Sequence, residues 1–316
     1  MSLLHVRIVS PAGLSDGVQA VLQDQRGATN LVVLPGAARD PAGDLIQADV
    51  ARECVQDIIS DLRVLGIDES GSISWLAVDT AIGAGMRRAE RDAPGEAADA
   101  IIWDEVIAGT GEDSTLTWTF MAFMVLACLL AAIGVATNSP ITLVGAMVVG
   151  PEFGPLAGIA VGLRLRRRNA VRRGAVALVA GFTGAIAVTA AVAVVWRVTG
   201  LVSADALANS TGTEFIYQPG WFSILTALVA GAAGTLSLTS AKSAALVGVF
   251  ISVTTIPAAG NLALTLVFGR FHEAGGSALQ LVINLTGIVI SSYLVLLARD
   301  RSRSPGERTG RNVTTS

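Results

Sequence analysis

The sequence predicts an α-helical polytopic membrane domain of six segments, read as a 3+3 inverted repeat, preceded by an α+β ferredoxin-like soluble domain. Three observations predict this. Charged residues make up 15% of the chain, against roughly 25% in soluble domains. They crowd into residues 1–113, leaving 116–298 nearly uncharged apart from one arginine cluster. A soluble core has no use for so long an apolar stretch without a polar surface. The first 80 residues instead alternate short strand and helix patterns. Finally, the apolar part matches itself when shifted along the chain.

The soluble domain is expected over 1–80. His5 to Val9 alternates as a strand, and Leu14 to Gln25 reads as a helix with Val18, Val21 and Leu22 on one face. Thr29 to Leu34 reads as a second strand ended by Pro35-Gly36, and Asp44 to Val50 as a third. Arg52 to Leu65 is strongly amphipathic, with Gly66 as its C-terminal stop. Ser72 to Val78 reads as the fourth strand. The order βαββαβ is the split βαβ plan. A helical linker over 81–113 breaks at Pro94-Gly95 and carries Glu96, Asp99, Asp104 and Glu105 around an apolar stripe. This reads as a solvated helix packed on the domain. Its acids, with Glu112 and Asp113, are also expected to meet the arginine cluster and set docking.

The membrane domain is expected over 114–298, followed by a disordered basic tail at 299–316. Its segments read as 116–136, 141–163, 174–196, 221–239, 244–268 and 278–298, each long enough for a hydrocarbon core of roughly 30 Å. Trp118, Trp196 and Trp221 lie at segment ends, where aromatic residues favour the interface. Arg164, Arg166, Arg167, Arg168, Arg172 and Arg173 crowd the loop after segment two, and five more arginines fill the tail, whereas 199–220 holds no Lys or Arg. Cationic loops stay inside. The expected location is therefore the inner (plasma) membrane, multi-pass, with both termini cytoplasmic. The start of the chain does not read as a signal peptide.

A shift of 103 residues places Trp118 on Trp221, Leu143-Val144-Gly145 on Leu246-Val247-Gly248, and Thr183-Gly184 on Thr286-Gly287. Chance similarity between Gly/Ala/Leu/Val-rich helices competes with a true repeat. If real, a three-segment unit must insert its second copy upside down, as in many secondary transporters. Segment two is interrupted by Gly150, Pro151, Glu152, Gly154 and Pro155, and the matching part of segment five by Thr254, Thr255, Pro257 and Asn261. Unwound backbone in a bilayer must face protein or a watery cavity. These residues, with Asn284 of segment six, are the expected substrate or ion site. Glu152 reads either as a proton, cation or substrate group or as a carboxylate capping the following half-helix. The two asparagines read equally as interhelical hydrogen-bonding groups. Glu152 and Asn261 are expected to face each other across the breaks.

No catalytic residues, metal ligands or cofactor are expected. Cys54 and Cys128 are isolated, His5 and His272 are the only histidines, and no phosphate-loop or hydrolase motif occurs. The arginine loop reads as a topology signal touching membrane lipid, not nucleic acid. Abundant small residues, such as Gly181, Gly184 and Gly231, permit close packing within one chain or between copies of a homo-oligomer.

Leu-Val-Val-Leu-Pro-Gly-Ala-Ala-Arg-Asp-Pro at 31–41 and Val-Gly-Ala-Met-Val-Val-Gly-Pro-Glu-Phe-Gly-Pro at 144–155, after an αβ domain, resemble the uncharacterised prokaryotic family called domain of unknown function 389. The resemblance covers about Leu4 to Ala298. It implies a membrane protein without an established activity. Many relatives carry a neutral residue at the position of Glu152, so the carboxylate is not implied as a family feature. The expectation is a secondary transporter or channel-like protein for a small polar or charged solute, with a regulatory or assembly domain. A non-transporting sensor or scaffold, whose soluble domain binds a small ligand, is the alternative.

Overall fold

The computed structural model describes residues 3–78, 80, 82–95, 97, 100–202, 216, 220–240 and 255–301. It forms two compact units, Met1–Val106 with Thr239–Lys242, and Ile107–Leu238 with Ser243–Ser316.

The first unit is a small antiparallel sheet backed by helices. Strands β1 (Leu3–Ser10), β2 (Ala28–Arg39), β3 (Ala42–Ala51) and β4 (Ser72–Val78) lie in the order β2-β3-β1-β4, each neighbouring pair antiparallel. Alternation on β1 sends Leu4, Val6 and Ile8 inward. There they meet Val18 and Leu22 of α1 (Ser15–Asp24) and Val55, Ile58, Ile59 and Leu62 of α2 (Arg52–Val64). Gly66 follows α2 in the left-handed region, at φ 75°, which ends the helix without a Cβ penalty. A one-turn helix, α3 (Ile67–Ser70), precedes β4. The expected end of the second strand at Pro35-Gly36 is corrected. The strand runs on to Arg39 through a register shift between Leu34 and Ala38. Gly36 takes φ 63° there and donates its N–H to Asp44 Oδ1 at 2.8 Å, so the glycine makes an irregularity rather than an end.

The linker forms two helices, α4 (Ala84–Asp92) and α5 (Trp103–Asp113). Ile102 joins the first unit's core, and Ile101 and Val106 are buried. Arg52 reaches Glu105 at 2.6 Å and Arg63 reaches Asp104 at 2.7 Å. Trp75 Nε1 also donates to Glu105, at 3.1 Å. The linker up to Val106 thus packs within the first unit, beyond the expected boundary at residue 80. Glu96 and Asp99 lie outside the described residues.

The second unit has the apolar helices of a multi-pass membrane protein. Among the described residues, four helices have the length and composition to cross a bilayer. They are α6 (Trp118–Ala136), α9 (Arg168–Thr199), α10 (Trp221–Thr239) and α12 (Phe271–Arg301). Between α6 and α9 lie α7 (Pro140–Val149) and α8 (Phe153–Arg164), bent by 51° at a short break and passing the same test as a pair. Taken as one span, the pair is a broken one. The described residues thus hold four candidate spans, or five with the bent pair counted as one, where the sequence predicts six. Of expected segment five, only α11 (Thr255–Val267) is described, and 244–254 lie outside the described residues. The long helices α9 and α12 overrun the expected segments, continuing past their apolar runs into Arg-, Glu- and Asp-bearing turns. Arg299 and Arg301 accordingly belong to α12, and only 302–316 of the expected tail lie outside the described residues.

Helix boundaries recur at the 103-residue spacing. α6 and α10 correspond residue for residue, the ends of α8 and α11 correspond at Arg164 and Val267, and the starts of α9 and α12 correspond at Arg168 and Phe271. The turns between them are alike in detail. Arg167 N–H donates to Gly162 O at 2.8 Å, and Arg270 N–H donates to Thr265 O at 2.9 Å. Left-handed residues sit at matching places, Arg166 at φ 54° and Gly269 at φ 76°. Contacts follow the same rule. α8 packs on α9 as α11 packs on α12, and α8 packs on α12 as α11 packs on α9.

Candidate functional site

The break between α7 and α8 comprises Gly150, Pro151 and Glu152. Gly150 is the C-cap of α7, with extended φ and ψ of −65° and 124°, and Glu152 is the N-cap of α8. Gly154 and Pro155, expected to extend the unwinding, lie buried in the first turn of α8. Proline is tolerated there because first-turn N–H groups have no partner within the helix. Pro257 holds the same kind of place, third in α11.

Glu152 is 0% exposed. Its carboxylate does not cap its own helix, since Glu152 makes no side-chain cap hydrogen bond. Instead Thr255 Oγ1 donates to Glu152 Oε1 at 2.6 Å across 103 residues of sequence. The two residues lie 103 positions apart, the spacing at which the helix boundaries recur. Space is tight around it. A Cβ on Gly150 would come within 2.8 Å of Ile256 Cγ1 and would also strike the Glu152 carboxylate. On the other side, a Cβ on Gly260 would lie 2.6 Å from Ala131 Cβ, so α11 can approach α6 only because that residue is glycine. The N-terminal end of α8 further favours negative charge at Glu152.

The expected pairing of Glu152 with Asn261 is corrected. Asn261 lies six residues past Thr255, about 9 Å along the helix, and its Nδ2 donates to Ser277 Oγ of α12 at 2.8 Å. Asn284 is fully buried and accepts from Gln280 Nε2 at 3.4 Å. Thr254 lies outside the described residues. Sequence reasoning passed over Ser277 and Gln280. Their signal was there in the sequence: Ser277, Gln280 and Asn284 recur at helical spacing in an apolar run. Gln280 Oε1 is buried without a hydrogen-bond partner among the described residues.

A cavity of about 380 Å³ reaches the break, ending on Gly150, Pro151 and Gly154. Glu112, Asp113 and the hydroxyl-bearing Thr115, Thr117 and Thr119 line its other side. Burial, followed by the charge of Glu112, pushes the Asp113 carboxyl above its ordinary value. Phe120, Phe123 and Phe153 complete its lining, which does not include Glu152, so the two acids, Glu112 and Asp113, favour cations over anions beside the break and not at the buried carboxylate itself.

The six arginines stand apart from this site. Arg164 ends α8, Arg166 occupies the left-handed turn, Arg167 is the N-cap of α9, and Arg168, Arg172 and Arg173 lie in its first turns. Asp104 and Glu105 pair with arginines of the first unit, and Glu112 and Asp113 line the acidic cavity. None of these four acids lines the cavity that the arginines form. The linker helix and the arginine loop adjoin at that cavity through Ile107, Thr110, Gly111 and Ser114, while Glu96 and Asp99 lie outside the described residues.

No solved structure matches the chain. An uncharacterised protein of Methanocaldococcus jannaschii is 22% identical over 66% of this chain, and the match spans 63% of that relative's length. Residues 147–290, which run from the end of α7 into α12 and include Glu152 and Thr255, match the family described as domain of unknown function (DUF389), the family that the sequence motifs resemble.

Proposed function

We propose that the membrane unit is a secondary transporter or channel-like protein for a small cation or protonated solute, with Glu152 and Thr255 at its site. One observation carries the reading: a fully buried carboxylate at the break of a bent helix pair is hydrogen-bonded to the residue 103 positions away, the spacing at which helix boundaries recur. In an inverted repeat, two equivalent residues that touch lie beside the pseudo-twofold axis, near mid-membrane, where transporters of this architecture bind. The matching helix boundaries, the matching turns and the exchanged contacts of α8 and α11 support a 3+3 inverted arrangement. The acidic cavity ending at the break supports a cationic solute. In this reading α11 belongs to a sixth span, and the arginine-bearing loops hold both termini on the cytoplasmic side of the inner membrane.

The strand order of the first unit supports reading it as ferredoxin-like. One face of its sheet leaves Leu76, Val32 and Leu34 exposed, which suits assembly of copies into a homo-oligomer. This unit would then regulate or assemble the membrane unit, and no reaction is assigned to either.

The test is flux of protons, Na⁺ and K⁺ into proteoliposomes holding the wild type or Glu152→Gln. The wild type should carry one of these ions with a pH-dependent rate, and Glu152→Gln should lose the pH dependence and most of the flux. Unchanged flux and pH profile in the variant would remove Glu152 from the mechanism. Absence of any ion flux, together with a dry interface, would favour a sensor or scaffold.

A further inference from the structure

We propose that the arginine loop forms a binding site for a phosphate group, supplied by the headgroup of an anionic phospholipid. The inference is independent of the transport reading. A second cavity in the membrane unit, of about 490 Å³, opens between the end of α5 and the turn joining α8 to α9. Arg166, Arg167, Arg168 and Arg173 line it, and among the described residues no carboxylate does. All four are exposed, so solvent screens part of their mutual repulsion, and an anion in the shared space would relieve the rest. Their position adds to the imbalance. The 32-residue helix α9 begins here with no acidic residue in its first turn and no side-chain cap on its free N–H groups. Helix N-termini favour anions, and this one carries cations instead. A bound phosphate satisfies both features, because it accepts from backbone N–H groups and from arginine forks.

The shape of the cavity also fits a headgroup. Gly158 and Gly162 of α8 let the linker helix and α9 pack closely at its base, and the Thr110 and Ser114 hydroxyls donate to backbone carbonyls, which leaves the arginines and the α9 N–H groups as the donors for a phosphate. The cavity sits where an apolar helix ends, the level at which phospholipid phosphates lie. A topology signal alone needs only positive charge and would be met equally by lysine. A phosphate fork site would not, since lysine lacks the planar bidentate donor set.

The experiment uses the full chain in a neutral detergent. Its thermal midpoint is followed during titration with dioctanoyl phosphatidylglycerol, dioctanoyl phosphatidylcholine or inorganic phosphate. Three proteins are compared. Arg167→Lys/Arg173→Lys keeps the charge and removes two forks. Gly111→Leu fills the cavity and spares every arginine, since a Cβ there meets nothing within 4 Å. In the wild type, phosphatidylglycerol should raise the midpoint saturably, and phosphatidylcholine should not. Both variants should need about tenfold more phosphatidylglycerol. An equal response to inorganic phosphate would keep the site and assign it to a soluble phosphate. A midpoint that no anion moves, an equal effect of phosphatidylcholine, or variants that titrate like the wild type would overturn the proposal.

Discussion

At the scale of single residues, the fold keeps Glu152 buried by giving it a donor from the other half of the chain. Removing that donor leaves a buried carboxylate oxygen without its partner, a loss of about 1–3 kcal/mol. Thr255→Val is therefore expected to lower the unfolding midpoint in detergent, and more than Glu152→Gln does, because the amide oxygen of glutamine can still accept from Thr255. Equal midpoints for Thr255→Val and wild type would mean that the bond contributes nothing. Asp113 has a different dependence. Its carboxyl is held above its ordinary value of 3.8, so the folded state favours the protonated form. That contribution is fully present below the unfolded-state value and is lost as pH rises through the raised, folded-state value. Asp113→Asn should flatten the fall in stability over that acidic range, read as midpoint against pH. A slope identical to the wild type would contradict the raised carboxyl of Asp113.

At the scale of helices, close approach depends on particular glycines. Gly174 would put a Cβ 2.7 Å from Pro155 O, and Gly260 would put one 2.6 Å from Ala131 Cβ. Gly260→Ala should cost about 1–3 kcal/mol through overpacking of α11 on α6. Gly145→Ala, with nothing within 4 Å, should be neutral or slightly stabilising, and the pair is compared by unfolding in one detergent. Similar midpoints for the two variants would show that the α6–α11 contact yields freely. The two halves also solve one packing problem differently. Gly158 and Gly174 in the first half correspond to Asn261 and Ser277 in the second, where a 2.8 Å hydrogen bond joins α11 to α12. Sequence could mark Asn261 as polar and intramembrane. It could not say which neighbour the amide turns to, because that depends on rotation about the helix axis. This is why its expected pairing with Glu152 failed while the break itself was placed correctly. The second strand misled for a related reason. Pro35-Gly36 is a strong turn signal, and a hairpin can also absorb such a pair as an irregularity when a side chain such as Asp44 takes up the glycine N–H.

At the scale of the whole chain, composition alone separated a charged first part from an apolar second part, because lipid and water demand opposite surfaces. The bent span was legible from Gly150 and Pro151, since proline and glycine act through the backbone and need no knowledge of neighbours. The 103-residue spacing was visible as a faint self-match. Its detail, from shared helix ends to the shared left-handed turn, rests on backbone geometry that residue identity barely records: one copy of the turn uses Arg166 and the other Gly269. The acidic and arginine cavities were not legible as shapes, because each gathers side chains from helices separated along the chain.

The central claim is that the Glu152–Thr255 contact lines a path that opens to both sides of the membrane. The most direct measurement needs no knowledge of the solute. Thr255→Cys, in a chain carrying Cys54→Ser and Cys128→Ser, is reconstituted and treated with a membrane-impermeant maleimide from each side in turn. Slow but measurable labelling from both sides, blocked or biased when the transported ion is added to one side, is the predicted result. Complete protection from both sides, in a protein that labels fully after unfolding, would contradict it.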